Sequence, residues 1–140
     1  MRVHYGIALS LCLLSTPALA LKCNPEGTQM EMNQCAADDF AKADQALNDA
    51  YQALRKKYKD NKPYLKQLKQ AQRAWIKFRD AELAAMFACD DEMRMCWGSM
   101  YPLLHLYEKE TLTENRTKQL KLYLEKGPNP AAGAMESTSQ

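Results

Sequence analysis

Apolar residues recur at intervals of three and four along two long stretches of this chain, and nowhere do they alternate by two. Ala36, Phe40, Ala43, Leu47, Ala50 or Tyr51, Leu54 and Tyr58 form the first series, an apolar helix face about eight turns long. Thr28 with Glu31 opens it as a capping box: the hydroxyl accepts from the Glu31 amide and the carboxylate from the Thr28 amide. The series ends in Lys59, Asp60, Asn61, Lys62 and Pro63, where Asp60 or Asn61 caps a second helix whose first turn tolerates a proline. Leu68, Ala71, Trp75, Phe78, Glu82, Ala85 and Cys89 form the second series, a tryptophan-centred stripe on a helix from about Pro63 to Met86 or Cys89. So short a connection folds the two helices into an antiparallel hairpin.

Residues 90 to 99 read as an acidic link that can hold a helical turn, and Ser99 is the expected cap of a third helix. Its stripe of Leu103, Leu104, Tyr107, Leu112, Leu120, Tyr123 and Leu124 is irregular, with a break expected near Thr113 and a stop at Gly127 and Pro128. The predicted fold is all-α: a long antiparallel helical hairpin plus a third helix, stapled by disulfides, in one domain over residues 21–126. Residues 127–140 are small and polar, and are expected to be a disordered tail.

The beginning of the chain changes the compartment. Arg2 precedes an apolar run from Ile7 to Leu14, and Pro17, Ala18, Leu19 and Ala20 complete the pattern of a signal peptide cleaved near Ala20. No later run is apolar for long enough to span a membrane. Lys22 stands before Cys23 where lipidation needs a small residue, which argues against a lipid anchor. Cleavage removes Arg2 and takes the net charge from +2 to +1. It also removes Cys12, leaving Cys23, Cys35, Cys89 and Cys96, an even set that implies disulfides in an oxidising compartment.

The hairpin makes specific contacts testable. Positions facing each other across a turn near residues 61 and 62 have numbers summing to about 123. Asp44 then faces Arg79, Asn48 faces Trp75 and Tyr51 faces Gln72. We expect an Asp44–Arg79 ion pair, and hydrogen bonding of Asn48 and Gln72 across the seam beside the Trp75 indole, as a structural network setting helix register. The same register brings Cys35 level with Cys89 and Cys23 near Cys96, the favoured pairing. The rival joins Cys23 to Cys35 and Cys89 to Cys96; it needs the chain to fold back locally, because helical residues seven apart are roughly 10 Å apart.

Catalytic chemistry is poorly supplied. Once His4 leaves with the signal, His105 is the one histidine, set among leucines, and no phosphate loop, Ser-His-Asp set or HExxH spacing is present. The chain does not read as an enzyme and calls for no cofactor. Met86, Met93, Met95, Met100, Cys89, Cys96 and His105 concentrate soft ligands, so a Cu(I)-binding exported protein is one alternative reading. Methionine as core filler and oxidised cysteines oppose it.

Charge is unevenly placed. Arg55, Lys56, Lys57, Lys59, Lys62, Lys66 and Lys69 crowd the hairpin tip, and Glu31, Asp38, Asp39, Asp90, Asp91 and Glu92 gather at the open end. Lys62, Lys66 and Lys69 oppose the dipole of the second helix, so the basic excess has no intrahelical explanation. Lys57, Lys59, Lys62 and Lys66 at one end, and Asp90, Asp91 and Glu92 at the other, are the candidate partner-binding residues. Export and near-neutral total charge disfavour nucleic acid.

Thr28, Glu31, Met32, Asn33, Cys35 and Ala36, then Ala43, Asp44, Leu47, Asn48 and Tyr51, then Gln72, Ala74, Trp75, Phe78, Arg79, Asp80, Ala81 and Glu82 together resemble the LprI-type lysozyme inhibitor family. The likeness extends over about residues 23 to 122, through Gly98 with Ser99 and the Leu112, Thr113, Arg116, Leu120 ending. It implies a small, helical, periplasmic or surface-anchored protein that binds a lysozyme and blocks its cleft. Family members usually carry cysteine where this chain has Leu83, and another near Glu108, so their disulfide pattern does not transfer. A periplasmic interaction module with another protein partner is the alternative.

Overall fold

The computed structural model describes residues 21–90 and 92–131, leaving aside the side chains of Met93 and Arg94. The expected signal peptide, Asp91 and the tail beyond residue 131 lie outside the described residues. The protein is all-α. Helix α1 spans Gln29–Lys57, α2 Lys62–Met86, α3 Met93–Trp97 and α4 Tyr101–Lys126, with a 3₁₀ turn at Gly98–Met100 leading into α4.

The capping box forms as the residue pattern requires. The Thr28 amide donates to Glu31 Oε2 at 2.8 Å and the Glu31 amide to Thr28 Oγ1 at 3.3 Å. At the tip, Asn61 rather than Asp60 caps α2, its Oδ1 accepting from the Tyr64 amide at 3.1 Å. The sharpest departure at a helix start is α4. Met100 is its cap residue and makes no side-chain cap bond, so Ser99 does not serve there. The 3₁₀ turn runs straight into the helix, and Pro102 in the first turn removes one amide that a cap would have had to satisfy.

Nor is α4 broken near Thr113. Thr113 is fully buried, and its Oγ1 donates to the Lys109 carbonyl at 2.7 Å; Thr117 Oγ1 donates to the Thr113 carbonyl at 2.9 Å. Buried hydroxyls satisfied by their own helix act here as small core residues. Gly127, at a φ of 89°, ends the helix.

Helices α1 and α4 run parallel and pack closely along their length, with Lys109 Nζ 4.5 Å over the Phe40 ring and Lys57 Nζ bonded to the Leu124 carbonyl at the far end. Helix α2 returns antiparallel to both. The core near the tip is Leu47, Ala50 and Leu54 of α1, Leu68 of α2 and Leu120 of α4, with Tyr51, Tyr58, Tyr64, Trp75 and Tyr123 packed against it. A second cluster closes the open end, where the Phe87 ring lies 5.2 Å from Trp97, 5.4 Å from Tyr101 and 5.5 Å from His105.

The expected stripe of α2 is rotated. Leu68, Arg79 and Leu83 are its buried residues, whereas Ala71 and Ala85 are exposed and Phe78 is 54% exposed. A helix that faces two partners centres its buried arc between them, here along Leu68, Gln72, Arg79 and Leu83, and Phe78 falls on the flank of that arc.

Candidate interaction surface

The polar residues expected to bond across the hairpin do gather in one place. Asn48 and Tyr51 of α1 and Gln72, Trp75 and Arg79 of α2 line a groove of about 280 Å³ between the two helices. The bonds themselves go elsewhere. Asn48 Nδ2 donates to Asp44 Oδ2 at 3.2 Å within α1. Arg79 pairs with its neighbour Asp80 at 2.9 Å, not with Asp44, and stands 5.3 Å over the Trp75 ring. Gln72 accepts from Arg116 Nε of α4 at 3.1 Å, and Arg116 also donates to Gln119. The register is shared, but the hydrogen bonds of these side chains go to their own helix or to α4.

Arg116 is the residue the apolar pattern could not flag. It is 9% exposed, and burial lowers its pKa against the opposing pull of Tyr123 and Tyr64. The signal available in the sequence was the Leu112, Thr113, Arg116, Leu120 spacing, where a cation sits in step with core positions.

The disulfides follow the rival pairing. Cys23 bonds to Cys35 with their Cα atoms 4.6 Å apart, and Cys89 to Cys96 at 6.4 Å. The cross-hairpin pairing of Cys35 with Cys89 and Cys23 with Cys96 is therefore corrected. Before α1 the chain turns back at Asn24–Gly27, the Gly27 amide donating to the Asn24 carbonyl at 3.2 Å, and this lays Cys23 against the first turns of the helix. Cys89 lies beyond the end of α2 and Cys96 within the short α3, so the spacing of one continuous helix does not apply to them.

The two charged ends differ in how their charges are used. At the open end Glu31 is held in the capping box, where hydrogen bonds from the Thr28 amide and hydroxyl lower its pKa. Asp38 accepts from Gln34 at 2.8 Å and Asp39 pairs with Lys42 at 2.8 Å. At the tip the partners are neutral: Arg55 donates to Gln52 at 3.2 Å, Lys57 to the Leu124 carbonyl and Lys62 to the Lys59 carbonyl at 3.1 Å. Among the described residues no carboxylate lies within ion-pair distance of Arg55, Lys56, Lys57, Lys59, Lys62, Lys66 or Lys69. Asp90 and Glu92 are exposed beside the Cys89–Cys96 loop.

Two further surfaces border α4. Asp39, Lys42, Glu110, Glu114, Lys118 and Lys121 line a groove of about 350 Å³ against α1, where desolvation and then Asp39 and Glu114 raise the pKa of Glu110. A more apolar groove separates α4 from α2. Of the soft-ligand set, Cys89 and Cys96 are joined and Met86, Met95 and Met100 are exposed, while the Met93 side chain lies outside what is described; among the described residues no three His, Cys, Asp or Glu side chains are placed to hold a metal. His105 is half-buried in the aromatic cluster, and desolvation followed by Lys109 lowers its pKa against the pull of Asp80.

Fold and surface together define a class, a small disulfide-stapled helical scaffold whose grooves and charged ends lie open on the outside. The particular family is set by comparison: the model of the lysozyme inhibitor LprI family matches residues 22–120, and the chain belongs to that family. It is also 39% identical to an uncharacterized protein of Rhizobium meliloti (strain 1021), over 87% of this chain and 96% of that one. No solved structure matches it. Among the described residues no helix is long and apolar enough to cross a membrane.

Proposed function

We propose that the protein is an exported inhibitor of lysozyme that acts in the periplasm after removal of residues 1–20, and that the basic tip between α1 and α2 enters the enzyme's cleft. The observation that carries the reading is the tip itself: seven cations between Arg55 and Lys69 with no carboxylate partner among the described residues, facing one acid, Asp60, in the same segment. Lysozyme works through two carboxylates in a cleft, and an ammonium or guanidinium placed there opposes the charge the reaction needs while excluding the sugar chain. The acidic end supports the opposite docking less well, because Asp39 there is already paired with Lys42, whereas among the described residues no tip cation is paired with an acid. Family membership supplies the target class, and the tip supplies the complementary chemistry.

The experiment is lysis of peptidoglycan by chicken-type, invertebrate-type and goose-type lysozymes with increasing amounts of the oxidised protein. Saturable inhibition of one type is expected. Lys59→Glu with Lys62→Glu should weaken it at least about tenfold, as expected for reversed charges at a cleft, and Asp90→Lys with Glu92→Lys should change it little. The reverse ranking moves the interface to the acidic end, and no inhibition of any lysozyme removes the proposal.

A further inference from the structure

The cations of α2 are not confined to the tip. Lys62, Lys66, Lys69, Arg73 and Lys77 follow one another at steps of four, three, four and four, so they share one flank of the helix over about 22 Å. All five are exposed, and among the described residues none lies within ion-pair distance of a carboxylate. No acid occurs between Lys62 and Arg79 to interrupt the stripe. Like charges repeated along one flank repel one another, and a line of anions relieves that repulsion.

The same flank borders the groove between α1 and α2. Lys69, Arg73 and Ile76 line it from α2 and Asn48, Tyr51 and Gln52 from α1, with no carboxylate among the lining residues. Its amides are only partly used. Gln52 and Gln72 each accept through the side-chain oxygen, from Arg55 and Arg116, and neither amide nitrogen donates to another described residue; Asn48 donates to Asp44 and keeps its oxygen as an acceptor. Half-spent amides beside a row of cations suit a ligand that carries hydroxyl groups as well as negative charge. Arg79 stands over the Trp75 ring and the Arg55 guanidinium lies 5.9 Å from the Tyr51 ring, which makes both rings poor stacking platforms for nucleotide bases.

We propose that this flank of the hairpin binds a linear acidic polysaccharide, which lies along α2 with its carboxylates on Lys69, Arg73 and Lys77 and its hydroxyl groups on Gln52 and Gln72. One helical turn advances about 5.4 Å, comparable to the length of one sugar ring in an extended glycan, so successive cations meet successive sugars. The hydroxyls separate this ligand from polyphosphate, which has none for the amides to bind. The stripe starts at the tip, but Arg73 and Lys77 lie beyond the segment assigned to the lysozyme cleft. Glycan binding is measured with no enzyme present, so its outcome is separate from that of the lysozyme reading.

Isothermal titration of the disulfide-bonded protein with linear oligogalacturonate at physiological ionic strength should show saturable binding. It should be at least about tenfold tighter than binding of a polyphosphate or a single-stranded DNA oligomer of equal charge, and a neutral chitooligosaccharide should not bind. Arg73→Gln with Lys77→Gln should weaken it at least about tenfold, whereas Lys118→Gln with Lys121→Gln, which removes the same charge from the α1–α4 groove, should change it less than about twofold. Gln52→Ala should weaken oligogalacturonate and leave polyphosphate unchanged. All of these replace exposed side chains and should keep the parent's circular dichroism. No saturable binding overturns the proposal. So does polyphosphate or DNA binding as tightly as oligogalacturonate, or an equal loss from the two charge-removing pairs, because bulk charge alone would then account for the affinity.

Discussion

Two seams run along α1, and they are built differently. Toward α4, Ala43 and Ala50 meet Thr117 and Leu120, every one of these side chains is buried, and the threonine hydroxyl is satisfied by α4's own carbonyl. Small residues let the two helices close, and no polar group on the seam is left seeking a partner. Toward α2, the polar residues of both helices line up in register yet stand across an open groove. Helix α2 is held by Leu68 and Trp75 at the tip core, by the bond of Gln72 to Arg116 of α4 and by the Phe87 cluster at the open end. Matching positions along two helices therefore does not make a contact; side-chain size and the distance between the axes decide it.

Emptying the close seam should have the largest effect. Leu120→Ala, at a fully buried position, is expected to cost about 2–5 kcal/mol in urea unfolding. Overfilling comes next: Ala50→Leu should cost about 1–3 kcal/mol, while Ala71→Leu on the exposed face of α2 should stay within about 0.5 kcal/mol. Equal costs at the two alanines would erase the distinction between the seams.

Acid probes the anchorage of α2 at the open end. Packing lowers the His105 pKa below its unfolded value of 6.5, so the folded state favours the neutral ring. Stability is complete above that value and is lost as pH falls from it through the lower folded pKa, because the unfolded chain takes up the proton first. The Tm should fall as pH drops from about 7.5 to about 5.5, and His105→Gln should flatten that slope. Smallest of all, Asp44→Ala should change stability by less than about 0.5 kcal/mol, because Asp44 accepts from exposed Asn48 and does not hold Arg79. A loss of about 3 kcal/mol or more would restore the ion pair across the α1–α2 groove.

How far the fold could be read depended on where its information lay. Helix α1 was legible because a local capping box and a regular apolar series agree, and the α1–α2 hairpin because Asn61 and Pro63 mark a short turn. The phase of α2 was not, since alanine suits a buried or an exposed position equally and Arg79 enters the core as a cation. The seam on α4 was hidden for a related reason: Thr113, Arg116 and Thr117 are polar in sequence and buried in the fold. The cross-hairpin disulfides failed on backbone geometry, because the chain leaves helical form on either side of Cys89. Among the candidate binding residues, sequence located the basic tip, but only the structure showed that its cations bond to neutral groups of the protein.

The order of the disulfides along the chain bears on how the protein is made. Each of the four described cysteines is joined to its neighbour in sequence, Cys23 to Cys35 and Cys89 to Cys96. A chain threaded amino end first into an oxidising compartment exposes the first pair long before the second. For a chain exported as proposed, oxidation in order of emergence would give these bonds directly, without rearrangement by a disulfide isomerase.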